Sequence, residues 1–133
     1  IPGEIIVILT DNIPSRTNTN TGITLPTRLG NGRNMLVAKA GAVIAIGGGI
    51  GTISEIALAW LTNRLIIALS GPGWAGKLAD TSLDVGRPRF PDKPDDRIYG
   101  VDSADEAMTL LAELRPLYGQ GANRAPTVVD SWG

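Results

Sequence analysis

The stretch Ala42-Val43-Ile44-Ala45-Ile46-Gly47-Gly48-Gly49-Ile50-Gly51-Thr52-Ile53-Ser54-Glu55 decides the fold. Its first five residues form an unbroken apolar run, the pattern of a strand buried on both faces of a parallel sheet. A buried helix segment would share that composition; the shortness of the run and the glycines that follow it favour a strand. Four of the next five residues are glycine, so the backbone can turn sharply and approach another group closely. A helical pattern follows over Thr52–Thr62, with Ile53, Ile56, Ala57 and Trp60 on one side and Asn63 at its end. Strand, glycine turn and helix in this order are the repeating unit of an open α/β sheet.

The same alternation extends outward from this unit. Apolar runs at Ile5–Leu9, Leu65–Leu69 and Ile98–Val101 read as further strands. Helical patterns lie at Gly32–Ala40, with Gly41 where a left-handed cap would stand, and at Ser103–Arg115, where Pro116 should stop the helix. The expected architecture is a Rossmann-like open parallel sheet with flanking helices, in a single domain over residues 1–117. Asp11–Asn31 reads as a polar loop. Gly71–Gly100, with Pro72, Pro88, Pro91 and Pro94, reads as a long loop or arm, and 118–133 as a loosely ordered tail.

Composition narrows the chemistry. A chain of 133 residues, 43% hydrophobic and 19% charged, is long enough for one domain with a real core. It holds no Cys and no His, which removes disulfides, Cys/His metal sites and histidine-assisted nucleophiles, so no metal is expected. A formal charge of −1 and only three Trp, two Tyr and one Phe give neither a polyanion footprint nor a base-stacking platform, and no nucleic acid is expected as a partner. No apolar run approaches the ~20 residues that span a bilayer, and no signal peptide is read, so the expected location is cytoplasmic without a membrane partner. Carboxylates, Arg, Lys, hydroxyls and backbone amides remain for any site.

In open α/β sheets ligands sit beyond the carboxyl ends of the strands. Those ends are Thr10-Asp11, Gly47–Thr52, Ser70-Gly71-Pro72-Gly73 and Asp102-Ser103. Gly47, Gly48, Gly49, Ile50, Gly51 and Thr52 combine exposed amides with a helix N-terminus, an arrangement suited to phosphate. The plainer reading is a tight turn that needs glycine only for its backbone angles. Neither G-x-G-x-x-G nor the P-loop fits: Ser54 stands where the last glycine would be, and no lysine follows the glycines.

Glu55 closes a Thr52-Ile53-Ser54-Glu55 pattern, which reads either as a capping box or as a carboxylate beside the loop. The same signature recurs at Ser103-Ala104-Asp105-Glu106. Arg33 opens its helix against the dipole preference, so it is either solvated or paired with an anion. Residues 1–64 carry five basic and three acidic side chains, against seven and ten in 65–133. The half with the glycine loop is the more positive one.

Arg33-Asn34-Met35-Leu36 followed by Ala42–Ile46 and Gly47–Glu55 resembles the Lonely Guy (LOG), or lysine decarboxylase-like, family. Gly49–Trp60, reading GIGTISEIALAW, is more similar to the related molybdenum-cofactor carrier proteins. The resemblance covers roughly Ile1–Leu114. It implies a Rossmann-like fold in a homo-oligomer, with the family's catalytic Arg and Glu at Arg33 and Glu55. Gly47, Ser54 and Asn34 stand where the LOG pattern has Pro, Glu and Lys. The family normally begins with two further strands and a GGGxxGxM segment, which this sequence reads as lacking: either it is a piece of a longer chain, or it is a shortened member whose sheet edge a neighbouring subunit completes.

Three functions follow from that resemblance. The leading one is a non-catalytic binding protein for a phosphorylated small molecule. Molybdenum cofactor (molybdopterin) is the cargo and molybdoenzymes are the partners; nothing is bound covalently, and the loop is assisted by Arg33, Asn34, Ser70 and Gly71. The second is a phoshoribohydrolase that cleaves the N-glycosidic bond of nucleoside 5′-monophosphates with Glu55 and Arg33. The third is a shortened domain that keeps fold and oligomer interface without a ligand.

Overall fold

The computed structural model describes residues 6–9 and 23–118. Thr10-Asp11 and the segment 119–133, with Val128, Val129 and Trp132, lie outside the described residues. The described residues form five parallel strands and four helices, one strand and one helix more than the sequence reading predicts, and the fold class is α/β, Rossmann-like. They comprise β1 (Ile6–Leu9), β2 (Ile23–Pro26), a 3-10 turn (Gly30–Arg33), α1 (Asn34–Ala38), β3 (Ala42–Ala45), α2 (Ile50–Leu61), β4 (Leu65–Leu69), α3 (Trp74–Leu78), β5 (Tyr99–Val101) and α4 (Ala104–Tyr118).

The strands form two sheets rather than one, β1-β2 and β3-β4-β5. In the larger sheet Ala42 pairs with Leu65 and Ala45 with Ala68, while Leu69 pairs with Val101. The central strand β4 shows why its sequence is apolar throughout. Successive side chains point to opposite faces: Ile66 and Ala68 pack against Ala38, Ile56, Ala59, Trp60 and Ala75, while Leu65 and Ile67 pack against Phe90, Ala107 and Tyr118. Helices therefore cover both faces. The edge strand β3 is covered less completely, with Val43 and Ala45 buried and Ile44 and Ile46 37% and 69% exposed.

Several local expectations change. β2 lies inside the segment read as the Asp11–Asn31 loop, because a four-residue strand ending in Pro26 forms only against its partner β1. α1 closes at Lys39 with φ −86°, and Gly41 is not left-handed. Helix α2 starts at Ile50 and ends as read: Asn63 is left-handed (φ 59°), its N–H donates to the Trp60 carbonyl, and the Arg64 N–H reaches the Ala59 carbonyl. That is a Schellman closure with asparagine in the glycine position.

The 71–100 segment contains α3 and folds back onto the sheet, burying Phe90 (2%) and Ile98 (0%). Pro116 does not stop α4, which continues to Tyr118. Proline removes one N–H and crowds the preceding turn, but the last turn is held from outside. The Tyr118 ring packs edge-on against Phe90, and its hydroxyl donates to Asp96 and lies 3.0 Å from the Tyr99 hydroxyl.

Candidate functional site

The glycine loop joins β3 to α2 at the carboxyl end of the larger sheet, and its shape is set by the next strand–helix connection. The N–H groups of Trp74 and Ala75, at the start of α3, donate to the carbonyls of Gly48 (3.0 Å) and Gly47 (2.9 Å). In a trans peptide the N–H points opposite to the preceding carbonyl. With both carbonyls turned toward α3, the amides of Gly48 and Gly49 face the other way, away from α3. The amides of Ile50, Gly51 and Thr52 follow in the first turn of α2, where no intrahelical acceptor exists. A run of donors at a helix end carrying about half a positive charge is thus presented at one place.

Only glycine permits this arrangement. Gly47 and Gly48 have φ 56° and 85°, and a Cβ on Gly48 would fall 1.8 Å from the Thr52 hydroxyl. A Cβ on Gly73 would lie 2.6 Å from the Gly47 carbonyl carbon, so the two loops cross backbone against backbone. The sequence reading places Gly73 at a strand end and offers Trp74 as an aromatic face beside it, but does not foresee Ala75 or the grip of the Trp74 and Ala75 amides on the glycine loop. The spacing Gly71-x-Gly73-x-x-Gly76 was the available signal, since glycines mark close backbone approach.

Thr52 and Glu55, three residues apart on one face of α2, border a cleft of about 270 Å³ walled by Val37, Ile44, Ile46 and Ile56. Glu55 is not a cap. The helix begins two residues before Thr52, with Gly49 at the N-cap and no side-chain cap bond. The Glu55 carboxylate instead meets Arg33, with Nη1 3.2 Å from Oε1 and the two side chains 27% and 21% exposed. The Arg33 Nε is buried and has no partner. By contrast, the Ser103–Glu106 signature is a true cap: the Glu106 N–H donates to Ser103 Oγ and the Asp102 N–H to Glu106 Oε2.

The structure thus brings Arg33, Asn34, Thr52 and Glu55 together along the α1–α2 seam beside the loop. Asn34 is 2% exposed, and its Nδ2 donates to Ser54 Oγ at 2.5 Å. Ser70 and Gly71, at the end of β4, make other contacts. Ser70 Oγ donates to Asp102 Oδ1 at 2.6 Å, and the Gly71 carbonyl is pressed against the Gly76 Cα, where a Cβ would be 1.9 Å away. Among the described residues no cluster of three or more acidic side chains could hold a metal, and no helix is long and apolar enough to cross a membrane.

Comparison with known proteins gives two matches. The pattern of the SLOG cluster4 family matches residues 2–105. The X-ray structure of TM1055, a Northeast Structural Genomics Consortium target, is similar in fold with a TM-score of 0.67 at 24% identity. That match covers 84% of this chain and 65% of the other, so the chain spans about two-thirds of TM1055's length. No curated protein matches.

Proposed function

Because the chain belongs to the SLOG cluster4 family, a match that spans most of its length, we propose that it binds a phosphorylated small molecule at the Gly47–Thr52 loop. The observation that carries this reading is the capture of the Gly47 and Gly48 carbonyls by the α3 amides. It turns consecutive loop amides outward beside the first-turn amides of α2, a fixed set of donors for a phosphomonoester. Arg33 supplements them, because its guanidinium makes one contact with Glu55 and keeps other N–H groups for a ligand. Molybdenum cofactor, delivered to molybdoenzymes by a homo-oligomer of this chain, is the cargo the sequence resemblance suggests. The loop suits the phosphate end of such a molecule.

A second reading is favoured by one specific contact. Glu55, paired with Arg33, borders the cleft. A carboxylate so placed could stabilise an oxocarbenium-like centre and orient water for cleavage of a nucleoside 5′-monophosphate. AMP separates the two readings. Calorimetry reports binding, and chromatography of a parallel sample reports free adenine. Binding without adenine release is the expected result. Release that disappears in Glu55→Gln makes the protein a phosphoribohydrolase, and absence of both signals overturns the phosphate reading for this nucleotide.

A further inference from the structure

Asn34 is the one polar or charged residue in the buried class among the described residues, and it spends its amide on a single neighbour. We infer that Asn34 and Ser54 form a positioning pair that sets the first turn of α2, and with it the Thr52 amide of the glycine loop. The inference rests on the proposed phosphate site for one of its two readouts.

The relay runs from α1 into α2. Asn34 Nδ2 donates to Ser54 Oγ at 2.5 Å, and Ser54 Oγ donates to the Gly51 carbonyl at 2.7 Å. A serine hydroxyl has one proton. With that proton committed to Gly51, Ser54 must accept its second bond, and Asn34 is the donor aimed at it. A serine that bonds only to its own preceding turn is free to rotate into other rotamers; the buried amide removes that freedom. Gly51 is where the constraint acts most, since a glycine in a first turn has the least intrinsic preference for helix.

Fixing the Gly51 carbonyl fixes the rest of that peptide. The Thr52 N–H points opposite to it, toward the open end of the helix. One residue before α1, at the end of the 3-10 turn, and one residue later on α2, Arg33 meets Glu55. The two cross-links are therefore consecutive rungs, and the buried rung sets the spacing at which the more exposed one forms. Asn34 Oδ1 remains buried without a partner. That oxygen bears a desolvation cost, so the amide's one bond, to Ser54, is the polar contact that holds the side chain.

The test uses the full chain with Ser54→Ala, Ser54→Thr, Asn34→Leu and the Ser54→Ala/Asn34→Leu double variant. Amide resonances of Gly51 and Thr52 are one readout, and affinity for inorganic phosphate by calorimetry is the other. Each single removal should displace both resonances and weaken phosphate binding about tenfold, the double should be no worse than either single, and Ser54→Thr should resemble the parent. Lower melting temperatures with unmoved resonances and unchanged affinity would overturn the positioning role. Displaced resonances in the variants, together with a parent that binds no phosphate, would uphold it and reject the phosphate site instead. Should Asn34→Leu not fold, the contrast between Ser54→Ala and Ser54→Thr decides alone.

Discussion

Two arginine–carboxylate pairs stand at opposite ends of α2, and they are built differently. Near its start, Arg33 reaches Glu55 through one nitrogen at 3.2 Å; both side chains are about a quarter exposed and the guanidinium has a buried, unpartnered Nε. Near its end, Arg89 grips Asp96 with two bonds, 2.7 and 3.1 Å, and the two side chains are 6% and 5% exposed. Arg89 also donates to the carbonyls of Trp60 and Arg64 and stacks 4.0 Å above the Trp60 ring. A cation over the last carbonyls of a helix complements its dipole. The second pair is saturated and closed to solvent, so it can serve only the fold. The first is under-satisfied beside an open cleft, which is what a site that still has a ligand to meet should look like.

The comparison breaks first, and with the largest effect, at Arg89. Arg89→Met keeps an apolar stem over Trp60 but leaves Asp96 buried without its cation. Removing one partner of a buried pair costs about 3–5 kcal/mol, which for a domain of this size lowers the melting temperature by on the order of 10–20 °C. A calorimetric melt within about 3 °C of the parent would show that the closed pair is not structural.

Alkaline titration sharpens the same side. Burial, and then the hydrogen bond to Asp96, push the Tyr118 phenol above its ordinary value of 10.0. Below that value Tyr118 is neutral in folded and unfolded chains alike, and its full stabilisation is present. As pH rises past 10 the unfolded tyrosine ionises and the folded one does not, so the unfolded chain gains stability by about 1.4 kcal/mol per pH unit from this group. Urea midpoints measured from pH 9 to 11 should therefore fall more steeply for the parent than for Tyr118→Phe. Parallel slopes would contradict the packing of the α4 terminus described above.

Legibility in the sequence follows the same division. The strands β3 and β4 could be read because their residues are uniformly apolar, β4 being buried on both faces and β3 chiefly on the face of Val43 and Ala45. The glycine turn could be read because a β3–α2 connection this tight has few alternatives. The Arg89 cluster could not: Trp60, Arg89, Asp96 and Tyr118 come together only through tertiary packing, and that packing also carries α4 past Pro116 against the local rule. Helix α3 was hidden because five residues that follow one glycine and contain another, inside a proline-rich stretch, carry no periodic signal. Two identical capping signatures came out differently. Ser103 lies just before its helix and caps it, whereas Thr52 lies inside one that Gly49 had already opened. The resemblance placed Arg33 and Glu55 together across 22 residues, which no local pattern could do. It also counted Asn34 and Ser54 as separate departures from the hydrolase pattern, whereas the structure shows them bonded to each other.

The smallest effect on stability is expected at the Arg33–Glu55 pair. Exposed ion pairs contribute about 0–1 kcal/mol, and the Arg33–Glu55 pair has one contact, considerable solvent access and no fork geometry. Glu55→Gln should therefore leave the melting temperature within about 3 °C of the parent. It keeps the shape of the side chain and leaves untouched the α3 amides that orient the loop, so affinity for AMP should change little or rise slightly as a negative charge is removed beside the phosphate. Any glycosidic cleavage should vanish, since an amide can neither stabilise a developing cation nor activate water as a carboxylate does. A large loss of stability would place this pair in the same class as Arg89–Asp96. Retained cleavage would show that Glu55 performs no chemistry. A melt and an affinity both near parental would confine its role to what happens after the ligand has bound.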